Sequence, residues 1–342
     1  MARFDAVTAD GHYVAVAADT ICRGTHPRFD LFLHHRSDQH VLFVARDCEV
    51  DAAALDDALA RGRPVLYVNR DDVAAYRSYV VENLDLVLSN PLTPRDRKGE
   101  IVYQSAGHLM AELIADASCA ATCQRAIDVA RHIVTVVSAI DAVESILSMI
   151  QFDYTTHTHS VNVCVYGLAF ARFVGLSDPC VLGLLSTGLL LHDVGKSRVD
   201  PVVLNRNGPL TADEFAHIKT HARHGESLLC ERRDVPKEAI FIVGQHHERC
   251  DGKGYPQGLG GREIHEYARL SAVMDVFDAL TTRRPYKEAL STFEALRLMR
   301  EDVGHHDERM LRTLVRMLAG NARLRPPASA RPGTTPTVRA RQ

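Results

Sequence analysis

Between residues 13 and 68 the apolar positions come in short alternating runs, YVAVA (13–17), FDLFLH (29–34), VLFVA (41–45) and PVLYV (64–68). A period of two puts alternate side chains on opposite faces of a sheet, so these runs predict four strands. Two other stretches, DAAALDDALA and DVAAYRSYVVENLDLVL, have helical spacing instead. Residues 1–95 therefore read as a small α/β domain. The polar, proline-bearing segment SNPLTPRDRKG (89–99) then interrupts the pattern and marks a domain boundary.

From residue 101 onward the spacing is helical. Ile133, Val136, Ile140, Val143, Leu147 and Ile150 recur at intervals of three and four, which suits either a coiled-coil seam or a helix facing a core. The repeat falls short of the ~3–4 heptads that define a coiled coil, so a core-facing helix is the expectation. Residues 96–150 form a helical connector in this reading. Residues 151–320 alternate helical stretches with Gly/Pro loops, and Thr211 and Glu214 in LTADEF have the spacing of a capping box. The end of the chain, RLRPPASARPGTTPTVRARQ, carries five arginines and no acid and has too few apolar residues for a core. Residues 321–342 are expected to be a disordered tail. The expected fold class is mainly α, an all-helical domain preceded by a small α/β N-terminal domain.

A formal net charge of -3 over 342 residues and a pI near 6.6 give no electrostatic basis for binding a nucleic-acid polymer or an anionic membrane. A small anion in a local pocket stays compatible with that balance. No run of ~18 apolar residues occurs, and the start MARFDAVTADGHY lacks the regions of a signal peptide. The expectation is a cytoplasmic protein without membrane insertion. The eight cysteines include no CxxC pair and mostly lie in apolar stretches such as VNVCVYG, which argues against both a disulfide framework and a Cys-based zinc site.

Histidine changes the picture, because nine of the eighteen fall between residues 157 and 265. In LLLHDVGKSRVD (189–200) an apolar helix face runs into His192 and Asp193, two groups that are costly to bury without coordination or hydrogen bonds. Neighbouring helical residues point about 100° apart, so the imidazole can serve one metal while the carboxylate bridges two. A helix cap with its hydrogen bond is the other reading of that dipeptide alone. His246 and His247 in VGQHHERCDGKGYP offer two diverging imidazoles, a pattern suited to a two-metal site. His217, His221 and His224 recur at i, i+4 and i+7, and on spacing any of them is a ligand candidate. Asp275 and Asp278 in SAVMDVFDALT sit at i and i+3, so one can face a metal while the other orients a ligand. Imidazole with carboxylate suits iron, manganese or zinc rather than calcium.

HDVGK, HHERCDGKGYP and MDVFDALTTRRPYK, in that order, resemble the HD-GYP family, bacterial hydrolases of the HD superfamily that open the second messenger cyclic di-GMP. The similarity covers roughly residues 150–290, and Gly254, Tyr255 and Pro256 form the signature that separates this family from other HD phosphohydrolases. The resemblance implies an HD-type metallohydrolase domain over residues 151–320. It implies metal ligands at His159, His192, Asp193, His221, His246, His247 and Asp275, with Asp193 the bridging carboxylate. They would hold two divalent transition-metal ions, iron or manganese. Asp193 and Lys196, the lysine of the HDxxGK pattern, would be the catalytic pair, Lys196 holding the scissile phosphate or acting as a general acid. Arg284 and Lys287 of RPYK would contact the ligand phosphate, and Gly254, Tyr255 and Pro256 would line the pocket mouth. Asp278 would stand behind a ligand, while His157, His217 and His224 match no ligand position.

One position departs from the family pattern. Members that bind three metals carry a glutamate four residues before the first histidine ligand, and here that position is Thr155. A hydroxyl is a poor substitute for a bridging carboxylate, so two metals are expected, and with two the family's product is the linear dinucleotide pGpG rather than GMP. The implied reaction is in-line attack on phosphorus by a hydroxide bridging the two metals, with the ribose 3′ oxygen departing. A cyclic di-GMP receptor or adaptor with little turnover is the alternative, favoured by Thr155. A phosphohydrolase acting on another nucleotide is a further one. The N-terminal domain resembles, more faintly, the small α/β domain that precedes some HD-GYP modules. Lacking a phospho-acceptor signature, it is expected to sense a signal, form a homodimer or hold a protein partner.

Overall fold

A computed structural model describes residues 11–34, 39–60, 65–91, 93–140, 146–150, 156–204, 206, 208–283 and 288–319. All four alternating runs are strands: β1 (Tyr13–Ala17), β2 (Leu31–His34), β3 (His40–Val44) and β4 (Val65–Asn69). They form an antiparallel sheet in the order β1-β4-β2-β3, with Val14 opposite Val68 and Val16 opposite Leu66. Those four side chains are buried, so the period of two reports one apolar face. Helices α1 (Ala52–Ala60), α2 (Val73–Glu82) and α3 (Leu84–Ser89) accompany the sheet. Fully buried Phe29 meets Tyr76 and Tyr79 of α2 edge-on, with ring centroids 5.9 and 5.5 Å apart.

The interruption at 89–99 is shorter than the sequence suggests, because α4 (Arg95–Ala115) starts directly after Pro94. A proline there removes no helical hydrogen bond, since the first N–H groups of a helix have no intrahelical acceptor. Helix α4 packs against α2, α5 (Ala120–Ser138) and α6 (Thr156–Phe173). The repeat from Ile133 to Ile150 is not one helix, since α5 closes at Ser138 with Ala139 as its C-cap. Ile133, Val136, Leu147 and Ile150 are buried, and Ile140 packs against the core. Periodicity reported burial there but not continuity, and Val143 lies outside the described residues.

The remaining body is helical, as expected. Helix α7 (Pro179–Leu191) leads into a 3₁₀ turn (Val194–Arg198), followed by α8 (Pro201–Leu204), α9 (Ala212–Lys219), α10 (His221–Leu229) and α11 (Lys237–Gln245). After a loop come α12 (Glu266–Thr281), α13 (Thr292–Glu301) and α14 (Glu308–Ala319). Helix α7 is apolar almost all round and packs against α5, α6 and α11, the placement that such a sequence requires. Asp178 caps it by accepting from Cys180 N, with Pro179 at its first position. The capping box of Thr211 and Glu214 opens α9. No helix among the described residues is long and apolar enough to cross a membrane. The expected tail at 321–342 lies outside the described residues.

Candidate metal centre

Seven side chains from separate stretches of the helical body converge. His159 comes from α6, His192 and Asp193 from the end of α7, His221 from the start of α10, His246 and His247 from the end of α11, and Asp275 from α12. Ligand atoms of Asp193, His221, His246 and His247 lie within 4.8 Å of one another, and those of His159, His192 and Asp275 form a second such group. All are buried except His247, which is half-buried. Asp193 stands between the groups. Its Oδ2 is 3.4 Å from His192 Nε2 and 3.9 Å from His159 Nε2, while its Oδ1 is 3.4 Å from His221 Nε2 and 3.9 Å from His246 Nε2.

The hydrogen bonds of the rings decide what this arrangement can hold. His192 Nδ1 donates to Leu189 O (2.8 Å), His221 Nδ1 to Ile218 O (2.7 Å) and His246 Nδ1 to Val243 O (2.9 Å). A carbonyl oxygen only accepts, so Nδ1 carries the proton and a neutral ring turns its Nε2 lone pair inward. Burial, with the Asp193 carboxylate opposing it, pushes His221 down to about 4, and burial together with the neighbouring imidazoles pushes His246 down to about 3. Both rings are therefore neutral at neutral pH. Two acceptors, His221 Nε2 and His246 Nε2, then face each other at 3.2 Å, and His192 Nε2 and Asp193 Oδ1 have no hydrogen-bond partner. His159 repeats the pattern, its Nδ1 donating to Asp278 Oδ2 at 2.7 Å while its Nε2 lies 2.9 Å from Asp275 Oδ1.

Burial alone would raise the Asp193 carboxyl, yet the Lys196 ammonium holds it well below its ordinary range, and the Asp275 carboxyl is held low as well. Ionised carboxylates among inward-facing imidazole lone pairs are costly in a dry interior unless cations stand among them. The donor set fits two divalent metal ions.

Both residues do sit at caps, and His192 bonds a carbonyl of the last turn, but Asp193 makes no side-chain cap hydrogen bond, so capping leaves its burial unexplained. His192, the C-cap of α7, keeps helical dihedrals (φ -53°, ψ -35°) and Asp193 (φ -97°, ψ 6°) already leaves the helix, so the end of α7, rather than a regular helical step, sets their divergence. Gly195 explains how Asp193 reaches His221. A Cβ there would lie 1.9 Å from His221 O and 2.4 Å from Gly225 N, so only glycine lets the 3₁₀ turn touch α10 backbone to backbone. One residue on, Lys196 Nζ donates to Asp193 Oδ2.

A match to the HD domain family covers residues 166–310. Over 176 residues the chain is 40% identical to a cyclic di-GMP phosphodiesterase of Pseudomonas aeruginosa, which is 52% of this chain and 42% of that one. Residues 166–310 form an HD-superfamily domain. The HD domain is closely related to those of HD-GYP-type cyclic di-GMP phosphodiesterases. RpfG, a cyclic di-GMP phosphodiesterase response regulator of Xanthomonas campestris, is 41% identical over 172 residues, 48% of this chain and 44% of that one. The 3′3′-cGAMP-specific phosphodiesterase 3 of Vibrio cholerae is 36% identical over 148 residues, 43% of this chain and 32% of that one. The chain thus spans less than half the length of each of these relatives. Bd1817, an HDG"Y"P protein from Bdellovibrio bacteriovorus, shares the fold with a TM-score of 0.62 over 90% of this chain and 100% of that one, at 22% identity.

Beside the metal centre the HD domain carries Gly254, Tyr255 and Pro256 on a loop. Tyr255 stacks on His247 (ring centroids 4.7 Å apart, 26° between planes), and its N–H donates to His247 O at 3.2 Å. Gly254 permits the turn, because a Cβ there would lie 2.3 Å from Arg249 N and 2.5 Å from Glu248 Cα. Arg223 NH2 donates to Pro256 O at 3.0 Å. Glu248, which the sequence reading missed, fastens this loop. It is 2% exposed and its carboxylate accepts from three consecutive backbone N–H groups, Gln257 (2.6 Å), Gly258 (3.1 Å) and Leu259 (2.9 Å). The available signal was an acid placed just before a glycine-rich loop.

Asp278, expected to stand behind a ligand, bonds His159. Its Oδ1 accepts from Asn162 Nδ2 (2.9 Å) and Thr282 Oγ1 (2.9 Å), two partners that carry no recognisable pattern in sequence. The supposed single face of His217, His221 and His224 breaks at Thr220 between α9 and α10. Only His221 of these joins the centre; His217 Nε2 instead accepts from Asp200 N at 3.1 Å. His157 and His224 are half-buried and belong to neither ligand group. Thr155, Arg284 and Lys287 lie outside the described residues.

Proposed function

We propose that the chain is a metal-dependent phosphodiesterase that hydrolyses cyclic di-GMP to pGpG. The observation that carries this reading is the convergence of inward-facing histidine Nε2 atoms on Asp193 Oδ1 and Oδ2, with His192 Nε2 and Asp193 Oδ1 left without a hydrogen-bond partner. Relatives named cyclic di-GMP phosphodiesterases support the substrate. In this reading His159, His192 and Asp275 would hold one ion, His221, His246 and His247 the other, and Asp193 would serve both. Bound there, iron or manganese supplies a water acidic enough to attack at neutral pH and positive charge for the non-bridging phosphate oxygens.

The chain's own residues position the reactants. Asp278 fixes the His159 ring through Nδ1 and so keeps Nε2 inward. Lys196, tethered to Asp193, keeps an ammonium at the edge of the centre, where it meets the scissile phosphate or protonates the departing ribose 3′ oxygen. Tyr255, stacked on His247, forms one wall of the mouth together with Gly254 and Pro256. By the resemblance of RPYK to the family pattern, Arg284 and Lys287 would contact the ligand phosphate. The hydroxyl of Thr155 adds no third carboxylate, and the reaction stops at the linear dinucleotide.

A second substrate is favoured by one observation, the 36% identity to a relative named 3′3′-cGAMP-specific. The test is anaerobic incubation of metal-reconstituted protein with cyclic di-GMP and, in parallel, with 3′3′-cGAMP, resolving linear products over time. Accumulating pGpG in the wild type and none in His192→Ala is the expected result. Faster opening of 3′3′-cGAMP would overturn the substrate assignment. No product from either, with two metals per chain confirmed by elemental analysis, would overturn the enzyme reading in favour of the receptor.

A further inference from the structure

We infer that Tyr103 of α4 is a positioning residue for the metal centre, holding His159 in place through Asn162 and Asp278. The inference rests on the reading of His159, His192 and Asp275 as one of two ion sites. It adds to that site Tyr103, which lies outside residues 166–310 of the HD domain, on the helix that joins the N-terminal domain to the helical body.

These side chains form one buried chain of hydrogen bonds. The Tyr103 hydroxyl donates to Asn162 Oδ1, Asn162 Nδ2 donates to Asp278 Oδ1 (2.9 Å), and Asp278 Oδ2 accepts from His159 Nδ1 (2.7 Å). Tyr103 and His159 are 2% exposed, and Asn162 and Asp278 are fully buried. Thr158 O also lies 3.5 Å from the Tyr103 hydroxyl, beyond the usual O–H···O range of about 2.5–3.0 Å.

The donors and acceptors dictate one direction along this chain. A carboxylate only accepts, so Asp278 takes the His159 Nδ1–H on one oxygen, and on the other an Asn162 N–H and the Thr282 hydroxyl (2.9 Å). Asn162 must therefore turn its amide nitrogen toward Asp278 and its carbonyl toward α4, where the Tyr103 phenol supplies a donor. Phenylalanine at 103 would take that donor away, and so deep a site admits no solvent to replace it. An Asn162 amide that rotates in response withdraws its N–H from Asp278, which is then less firmly aimed at His159. The His159 Nε2 lies 2.9 Å from Asp275 Oδ1 and 3.9 Å from Asp193 Oδ2, so a tilt of this ring is felt first at the ion beside Asp275. His221, His246 and His247 belong to the other group.

Tyr103 is in turn held from the N-terminal side. Earlier on the same helix, Arg97 Nε donates to Asp19 Oδ2 (2.8 Å) in the 3₁₀ turn after β1, and Lys98 Nζ donates to Leu88 O of α3 (2.6 Å). Ile101 and Val102, between these anchors and Tyr103, are buried. Helix α4 also packs along α6, which carries both His159 and Asn162. The seating of the N-terminal domain on α4 thus reaches a metal ligand through three hydrogen bonds.

Chelator competition on the manganese-loaded full chain tests this, with bound metal counted by elemental analysis and paired and single Mn(II) ions told apart by electron paramagnetic resonance. The wild type is expected to hold two ions. Tyr103→Phe should release one of them, the ion absent from His159→Ala, at about three- to tenfold lower chelator concentration, and Asn162→Ala at about tenfold lower or more. The other ion should leave as it does from the wild type. The double variant should match Asn162→Ala, because the phenol acts through the amide. A merely structural phenol would lower the urea midpoint of the metal-free chain and leave both ions at wild-type affinity, and that result would overturn the inference. Equal weakening of both ions, or effects of the two substitutions that multiply, would overturn it as well. A wild type that holds fewer than two ions would instead overturn the reading of the centre, and the inference with it.

Discussion

Replacing Glu248 by alanine removes the one acceptor shared by three consecutive backbone N–H groups. In the folded chain Oε1 accepts from Gln257 (2.6 Å) and Gly258 (3.1 Å) and Oε2 from Leu259 (2.9 Å). A hydrogen bond to a charged group is worth about 1.5–3 kcal/mol, but the freed amides regain water once the loop opens, so the three do not add. The expected cost of Glu248→Ala is about 2–4 kcal/mol in the opening of this loop. Glu248→Gln is a finer perturbation. Its one oxygen can still serve Gln257 and Gly258, while its amide nitrogen meets the Leu259 N–H donor against donor, at a cost of about 1–2 kcal/mol. Hydrogen exchange at amides 257–259 reads the opening directly. At 1.4 kcal/mol per tenfold, alanine should speed exchange about 30- to 1,000-fold and glutamine about 5- to 30-fold. Because the loop holds Tyr255 on His247, KM for the dinucleotide should rise in the same order with metal content unchanged. Amides 257–259 exchanging at the wild-type rate in Glu248→Ala would refute the reasoning.

Asp193→Ala removes the carboxylate that four imidazoles face; turnover is expected to fall more than about 100-fold and bound metal below two per chain, with helical circular dichroism retained. Gly195→Ala forces a Cβ to within 1.9 Å of His221 O, so a loss of at least about 1–3 kcal/mol in denaturant unfolding is expected; wild-type stability would contradict the close approach. The metal-free protein should lose stability in acid. Above about pH 6.5 His221 and His246 are neutral both folded and unfolded; below it the unfolded chain takes protons that the folded chain refuses until about pH 4 and 3. Each ring then contributes a loss of up to about 1.4 kcal/mol per pH unit, which urea titrations at pH 7, 6 and 5 with chelator present will measure.

The alternating runs of residues 13–68 and the capping box at Thr211 are written in a few adjacent residues, because strand alternation and cap chemistry act over one or two turns of chain. Spacing also placed His192, Asp193, His246, His247 and Asp275 among the candidates. It could not choose His221 from His217 and His224, nor see that α5 stops at Ser138. The approach of Gly195 to His221 made the first choice, and it depends on how the 3₁₀ turn seats on α10. Glu248, Asn162 and Thr282 carry ordinary polar side chains whose roles come from where the loop and α12 fold back. By itself, then, the sequence determined which residue types were available and which local elements form, since those follow from short-range periodicity and turn chemistry. Only the tertiary structure decided which of them meet. His159 and Asp275 lie 116 positions apart, and their 2.9 Å contact is set by the packing of α6 against α12, which no local pattern encodes.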